Sequence, residues 1–274
     1  MGPTSHDIVA AVRRAAGTRR VGHAGTLDPF ASGLLAVLVG RATRLMPFLV
    51  GLPKTYTGTI RLGVVTETDD REGAVVREDP AWRDVSATAL AAALADLTGT
   101  LQQRPPAYSA KKVAGTPAHR RARRGQTVTL APQEVEVRRF VCTGRDGPDV
   151  RFVADVSSGT YIRALARDLG ETLGCGAHLA ELRRTAIGTF AADQAVPATA
   201  LEPPLPLRPA RDAVPHLPTR PLTPDEAAGV RHGRTVALGT GSPDGPTALL
   251  DGDRLLAIAV PYDDQLRPRV VLDD

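Results

Sequence analysis

The sequence has no long hydrophobic run, few cysteines and very little lysine. Its longest apolar candidate, residues 33–40, is far shorter than the roughly 18–20 residues that a membrane-spanning helix needs. The N-terminus lacks the basic and then apolar pattern of a signal peptide. Cys142 and Cys175 lie far apart without metal-ligand spacing, which favours two reduced thiols. This composition predicts a cytoplasmic protein with no membrane association and no metal.

Positive charge is unevenly distributed, although the net charge is only +4. No acidic residue occurs between Leu97 and Gln133, whereas seven Lys and Arg do. A segment with charge of one sign predicts an arm that faces phosphates, and a solvated loop is the alternative. Six members of this segment are candidate phosphate-binding residues: Lys111, Lys112, Arg120, Arg121, Arg123 and Arg124.

The spacing of apolar residues predicts a mixture of helices and hairpins, and therefore an α+β fold rather than a doubly wound parallel sheet. Ser5 is the expected N-cap of the first helix and Gly17 its stop. In the strand at 55–63, Tyr56, Ile60 and Leu62 should share one face. We expect helices over residues 5–16, 86–98, 160–173 and 178–184, and strands over residues 55–63, 134–142 and 150–157.

Asp28 lies in a Gly-rich segment, Gly22-His23-Ala24-Gly25-Thr26-Leu27-Asp28-Pro29. An Asp followed by Pro is typical of a helix start, with the carboxylate capping free N–H groups. Glycines that let the backbone approach a ligand, and a His and an Asp on a loop, favour a functional site instead.

Four segments resemble the TruB-type tRNA pseudouridine-55 synthases, in the order in which that family carries them. Residues 22–43, GHAGTLDPFASGLLAVLVGRAT, are closely similar to the family signature, and KTYTGTIRLG at 54–63 is similar to its tyrosine-bearing strand. RPPAYSAKKVAG at 104–115 and SGTYIRALARDLGETLGCGAHLAELRR at 158–184 continue the likeness. Together they cover roughly the first 190 residues.

The resemblance implies roles for the matching residues. Asp28 matches the catalytic aspartate, and Tyr56 the tyrosine that stacks on the target base and is thought to help remove the C5 proton. Tyr161 and Arg163 match the active-site Tyr and Arg, with the Arg paired to the catalytic carboxylate. Leu182 matches an apolar residue of the base pocket.

Two further matches concern RNA binding. His23 corresponds to the histidine that inserts into the RNA loop as the target base leaves it. The basic segment at about 104–130 corresponds to the arm that clamps the RNA. Without the resemblance, Tyr56 is read as a core aromatic, Tyr161 and Arg163 as a helix-start aromatic and a solvated Arg, and His23 as a loop histidine.

The implied reaction converts uridine 55 in the TΨC loop of tRNA into pseudouridine after the base is flipped out. It is an isomerisation, so it needs no redox cofactor, metal or energy source. An Arg⁺ beside the carboxylate would favour its ionised form in a dry pocket. We expect a cytoplasmic monomer that binds the T-arm and has no obligate protein partner. A synthase for another RNA, or a non-catalytic tRNA-folding chaperone, is the alternative.

The expected organisation is the pseudouridine synthase fold, a mixed, largely antiparallel sheet flanked by helices, in residues 1–200. Residues 201–221 would form a connection, because eight prolines occur between Pro197 and Pro221. Residues 222–274 would form a small β-rich module, similar in position and size to the PUA module of relatives. Family members begin with a strand leading into Lys-Pro, so this chain is expected either to start further upstream or to dispense with that strand.

Overall fold

The structure, a computed structural model, describes residues 2–109, 111–113, 116–118, 121, 124, 126, 130–238 and 244–273. It confirms the α+β class. The described helices are α1 (Ser5–Ala15), α2 (Met46–Val50), α3 (Ala87–Asp96), α4 (Ile162–Thr172) and α5 (Pro224–Arg231). The described strands are β1 (Val21–His23), β2 (Ser32–Gly33), β3 (Val37–Val39), β4 (Lys54–Leu62), β5 (Val64–Thr66), β6 (Val75–Glu78), β7 (Gly99–Gln103), β8 (Lys112–Val113), β9 (Thr116–Pro117), β10 (Gln133–Asp146), β11 (Asp149–Val156), β12 (Ala177–Ile187), β13 (Phe190–Ala191), β14 (Thr219–Pro221), β15 (Val236–Ala237), β16 (Thr247–Asp251), β17 (Arg254–Tyr262) and β18 (Gln265–Val271).

The chain forms two compact units, each assembled from separate stretches of sequence. Unit 1 consists mainly of Asp28–Leu34 and Leu52–Asp193. Unit 2 consists mainly of Pro3–Leu27, Leu35–Gly51 and Gln194–Asp274. The domain boundaries expected from the sequence stay a prediction.

A mixed sheet of seven strands forms the centre of unit 1. Its order is β13-β12-β4-β11-β10-β7, with β2 beside β12, and every pairing is antiparallel except that of β2 with β12. Strand β4 buries Tyr56, Ile60 and Leu62, as the alternation predicted. Leu90 of α3 and Leu165 of α4 join the same apolar core. The expected largely antiparallel sheet flanked by helices is confirmed.

The helix predicted at residues 178–184 is wrong, because this segment belongs to strand β12. Helix α4 ends just before Gly174 and Gly176, which both have positive φ and turn the chain back. The segment then pairs with β4 along most of its length and buries Leu179, Leu182 and Arg184. Pairing with β4 therefore outweighs the local helix propensity of the segment.

Helix α1 begins at Ser5, where the predicted range begins, but its N-cap is Thr4 rather than Ser5. Thr4 Oγ1 accepts from Asp7 N at 3.2 Å, and the Asp7 carboxylate accepts from Thr4 N at 2.8 Å, which forms a capping box. The Ser5 hydroxyl instead accepts from Leu27 N at 3.0 Å. This bond ties the start of the helix to the end of the Gly-rich segment.

The apolar stripe of α1 packs within unit 2. Val9 and Val12 form a buried cluster with Val21 of β1. Leu201 and Leu205, from the proline-rich segment, pack against the same cluster. That segment therefore contributes to a core.

The C-terminal part of unit 2 is a β-rich module, as predicted. Its five strands have the order β14-β16-β17-β18-β15, and only β14 and β16 are parallel. Helix α5 buries Ala227 and Val230 against the sheet, and its N-terminus is closed by a Thr223–Glu226 capping box. Of the helices in the described part of the chain, none combines the length and apolar character needed to span a membrane.

Candidate active site

Asp28 lies on a loop, so its interpretation as a helix cap is wrong. Its carbonyl accepts from Ala31 N at 2.9 Å, which closes a tight turn over Pro29 and Phe30. Strand β2 follows the turn. The carboxylate points to Arg163 and exposes 32% of its side chain. We call residues 28–34 the Asp28 loop.

Arg163 lies in the first turn of α4 and binds the Asp28 carboxylate through its guanidinium. Its Nε and Nη2 donate to Oδ2 and Oδ1 of Asp28, each at 3.0 Å. Nη1 and Nη2 also donate to the carbonyls of Thr68 and Tyr108, both at 3.0 Å, and Nη1 lies 3.4 Å from Oδ2 of Asp70. Four of the five N–H groups of the guanidinium thus donate hydrogen bonds, and the ion pair with Asp70 adds a second charged partner. Because the Arg163 side chain is 6% exposed, only the carboxylate side of the pair is open.

Asp70 is a second acidic partner of Arg163 that the sequence reasoning missed. Its side chain is 6% exposed, and Oδ1 accepts from Thr68 Oγ1 at 2.5 Å and from Glu72 N at 2.9 Å. Two carboxylates thus share one buried guanidinium, and one of them is reachable from outside. The acidic pair Asp69-Asp70, which begins three residues after the end of β5, was the available signal.

Tyr56 and Tyr161 are both close enough to Asp28 for its charge to act on them. Burial is the largest cause that raises the pKa of each phenol, and the negative charge of Asp28 raises it further. The Tyr161 hydroxyl hydrogen-bonds Ser109, and its backbone N–H donates to Gln103 Oε1 at 2.8 Å. Tyr56 is 8% exposed and Tyr161 is half-buried. The structure therefore brings Asp28, Arg163 and both tyrosines together.

Leu182 and His23 are the other two predicted residues. Leu182 is buried in β12 opposite Gly58 of β4 and belongs to the same core cluster as Tyr56. His23 is half-buried at the end of β1, in unit 2. The roles proposed for them stay predictions.

The predicted RNA-clamping arm is described only in part. Lys112 lies in β8, which pairs with β9, and the carbonyl of Lys111 accepts from Ala118 N at 2.6 Å. Arg121 Nε donates to Gln126 Oε1 at 3.0 Å, and Arg124 is exposed. The other two members of the predicted set lie outside the described residues: Arg120 and Arg123.

A buried basic pair, Lys54 and Arg184, was also missed. Arg184 is 1% exposed in β12, its Nε donates to the carbonyl of Leu34 at 2.8 Å, and its side chain hydrogen-bonds Tyr56. Burial, and then the nearby charge of Arg184, lowers the pKa of Lys54 to about 8. A correct strand prediction over 177–187 would have placed Arg184 on the same inward face as Leu182.

Arg167, one turn beyond Arg163 on α4, organises a second ionic group. It donates to Asp168 Oδ1 at 2.7 and 2.9 Å, to Asp69 Oδ2 at 3.3 Å and to the carbonyl of Arg104 at 2.9 Å. Burial raises the pKa of Asp69 to about 6, against the opposing charges of Arg167 and Arg163. Within the described residues, no group of three or more His, Cys, Asp and Glu is placed to hold a metal ion.

The geometry presents one oriented anionic carboxylate in front of a buried cation, with tyrosines beside it. Such a group can act as a nucleophile or as a base without first reorganising. The N-terminal domain model of the TruB family of pseudouridylate synthases matches residues 13–162, and the C-terminal domain model of tRNA pseudouridylate synthase B matches residues 163–205. The chain belongs to the TruB family of pseudouridylate synthases, which are enzymes.

Individual relatives resemble the chain over nearly its whole length. The tRNA pseudouridine synthase B of Parasynechococcus marenigrum (strain WH8102) is 46% identical over 277 residues, which cover 99% of this chain and 94% of the relative. That of Thermobifida fusca (strain YX) is 47% identical over 280 residues, covering 98% and 94%. Among solved structures, the archaeal box H/ACA sRNP Nop10–Cbf5 complex contains a chain that is similar with a TM-score of 0.73 and 26% identity, covering 98% of this chain and 82% of that one.

Proposed function

We propose that this protein isomerises uridine 55 in the TΨC loop of tRNA to pseudouridine, with the carboxylate of Asp28 as the catalytic group. The observation that carries the proposal is the carboxylate of Asp28, held side-on by buried Arg163 and open to solvent on its other side. The names of the similar proteins from Parasynechococcus marenigrum and Thermobifida fusca support tRNA as the substrate.

The reaction needs a group with the properties of this carboxylate. The bond from the sugar C1′ to N1 of uracil breaks, the base turns, and a new bond joins C1′ to C5. The C5 proton leaves and N1 gains a proton, so atoms and electrons balance without an oxidant or reductant. Asp28 can add to the base, attack C1′ or remove a sugar proton, and each route requires it to be anionic and fixed in direction. Arg163 fixes the direction of the carboxylate through two parallel hydrogen bonds and places a positive charge beside it.

Uridine in a folded loop must leave its stack to reach Asp28. Flipping a base costs a few kcal/mol. Stacking on Tyr56 would offset part of that cost, at about 1–3 kcal/mol per base. Because Tyr56 is 8% exposed, its ring must be uncovered as the RNA binds. Leu182 would line the pocket, and His23 would take the place of the departing base in the loop.

The protein would bind the phosphate backbone of the T-arm. The arm at about 104–130 would supply the cations, including Lys111, Lys112, Arg121 and Arg124. We propose that the protein does this as a monomer in the cytoplasm, without a cofactor and without an obligate protein partner. Light scattering on the protein with and without tRNA tests the stoichiometry.

Pseudouridine mapping on an unmodified tRNA transcript incubated with the pure protein tests the function. We expect pseudouridine at position 55 with the wild-type chain, and none in a transcript that carries cytidine there. The Asp28→Asn variant should bind both transcripts and modify neither. Modification at another position, or only of another RNA, would refute the assignment. Accelerated tRNA folding without any pseudouridine would instead support the chaperone alternative.

A further inference from the structure

Arg184 is a cation buried in the core of unit 1, next to another one. The Arg184 residue is 1% exposed. Lys54 lies close enough that the positive charge of Arg184 lowers the pKa of the Lys54 amine. Removing charged groups from water is costly, and two like charges add to the cost. Buried charged groups of this kind are concentrated at functional sites.

Arg184 fastens the end of the Asp28 loop in two ways. Its backbone carbonyl accepts from Leu34 N at 2.8 Å, and its side-chain Nε donates to the Leu34 carbonyl at 2.8 Å. Ser32 and Gly33 also pair in parallel with Arg183 and Arg184. Gly33 has a φ of +101°, and a Cβ at this position would lie 2.2 Å from the Arg184 carbonyl oxygen. The loop can therefore approach β12 this closely only with glycine at position 33.

The same side chain reaches the other part of the site. Tyr56 is the direct cross-strand partner of Arg184 in the pairing of β4 with β12, and its side chain hydrogen-bonds the Arg184 guanidinium. Leu34 ends the loop that begins with Asp28. One guanidinium thus connects the loop that carries the carboxylate to a tyrosine that is close enough for the charge of Asp28 to act on it.

We propose that Arg184 is a positioning residue for catalysis, which fixes the Asp28 loop relative to the Tyr56 hydroxyl through its bonds to Leu34 and Tyr56. The proposal rests on the function proposed above. Arg184 touches neither the substrate nor the reacting atoms in this role. It acts by holding two groups at a constant separation, and a misplacement of about 1 Å can cost on the order of 100-fold in rate.

The Arg184→Lys variant is the first test, because it keeps the charge and removes the planar fork that can bond two partners at once. Arg183→Lys is the matched control, since Arg183 is the exposed neighbour on the same strand. We measure the single-turnover rate of pseudouridine formation, the Kd for tRNA and the Tm. Arg184→Lys should react at least about tenfold more slowly with its Kd nearly unchanged, whereas Arg183→Lys should react at the wild-type rate.

A double-mutant cycle with Tyr56→Phe distinguishes positioning from mere packing. If Arg184 acts partly through the Tyr56 hydroxyl, its replacement must cost less in a background that lacks this hydroxyl. We therefore expect the fold-loss in rate of the double variant to be smaller than the product of the fold-losses of the two single variants. Independent losses, or an Arg184→Lys variant with the wild-type rate, would overturn the proposal.

Gly33→Ala covers the case in which Arg184→Lys does not fold. The added Cβ pushes the Asp28 loop away from β12 without altering any charge. A folded Gly33→Ala variant should lose at least about tenfold in rate at unchanged Kd. A wild-type rate in this variant would refute the positioning role. Because every result is a ratio to the wild-type rate, a wild-type protein that makes no pseudouridine would refute the proposed function instead.

Discussion

Arg163 and Asp28 meet side-on through two parallel hydrogen bonds of 3.0 Å, and the carboxylate is the only exposed member of the pair. The guanidinium is held in turn by the carbonyls of Thr68 and Tyr108 and by Asp70. The direction of the carboxylate is therefore set before any substrate arrives, and no reorganisation of the ion pair is needed during the reaction.

Asp28→Asn should abolish pseudouridine formation and leave the fold intact. The amide keeps the shape of the side chain but cannot act as an anion, so we expect a rate loss of at least about 100-fold. Asp149→Asn is a close control, because Asp149 forms an equivalent side-on pair with Arg61 and is 31% exposed against 32% for Asp28. It should keep the wild-type rate. Comparable rates for the two variants would contradict a catalytic role of Asp28.

Arg163→Met should destabilise the protein as well as inactivate it. The change leaves Asp70 buried without its cation, which costs about 3–5 kcal/mol of unfolding free energy. Adding Asp70→Asn should restore part of the stability but none of the activity, since Asp28 still lacks its partner. Urea unfolding and single-turnover rates measure the two effects. A stable Arg163→Met variant would show that the Arg163–Asp70 pair is not required for stability. Recovered turnover in the double variant would show that the Arg163–Asp28 pair is not required for activity.

The basic arm should govern the salt dependence of tRNA binding. Replacing Arg120, Arg121, Arg123 and Arg124 with Gln removes up to four phosphate contacts, so the negative slope of log K against log salt should become less steep by about 3. The control set consists of exposed arginines that each pair with an acidic residue: Arg77, Arg138, Arg208 and Arg211. Their replacement with Gln should leave the slope unchanged. If the arm variant and the control variant show the same slope, the arm is a solvated loop that does not bind phosphates.

Asp69 should make the protein less stable as the pH rises from about 4 to 6. Its pKa is about 6 in the folded protein, above its ordinary value of 3.8, so the folded state binds the proton more tightly in this range. Above pH 6 both states are ionised, and the full penalty of up to about 3 kcal/mol applies. Asp69→Asn removes this penalty, and Asn tolerates the positive φ of this position.

Unfolding free energies of wild type and Asp69→Asn, measured between pH 4 and 7.5, test this expectation. The difference should grow in favour of the variant up to about pH 6 and then stay constant. A difference that is independent of pH would mean that Asp69 titrates alike in the folded and unfolded chain.

The sequence predicted those features that depend on short-range patterns. Alternation predicted the inward face of β4, and the resemblance of four ordered motifs implied that Arg163 pairs with Asp28. The strand β12 was mistaken for a helix, because its pairing with β4 depends on contacts that lie far away in the sequence. That error also concealed Arg184, since only strand alternation puts its side chain inside. Asp70 could not be assigned to the Arg163 group because residues 70 and 163 meet only in the folded chain.

Helix α1 is synthesised long before its apolar stripe can be completed. Val9 and Val12 pack with Leu201 and Leu205, which follow about 190 residues further along the chain. At about 5–20 residues per second, the ribosome needs roughly 10–40 s to supply them. For that interval the helix has only its nearer neighbours around Val21 to cover it, which makes it a segment for a chaperone to hold during translation.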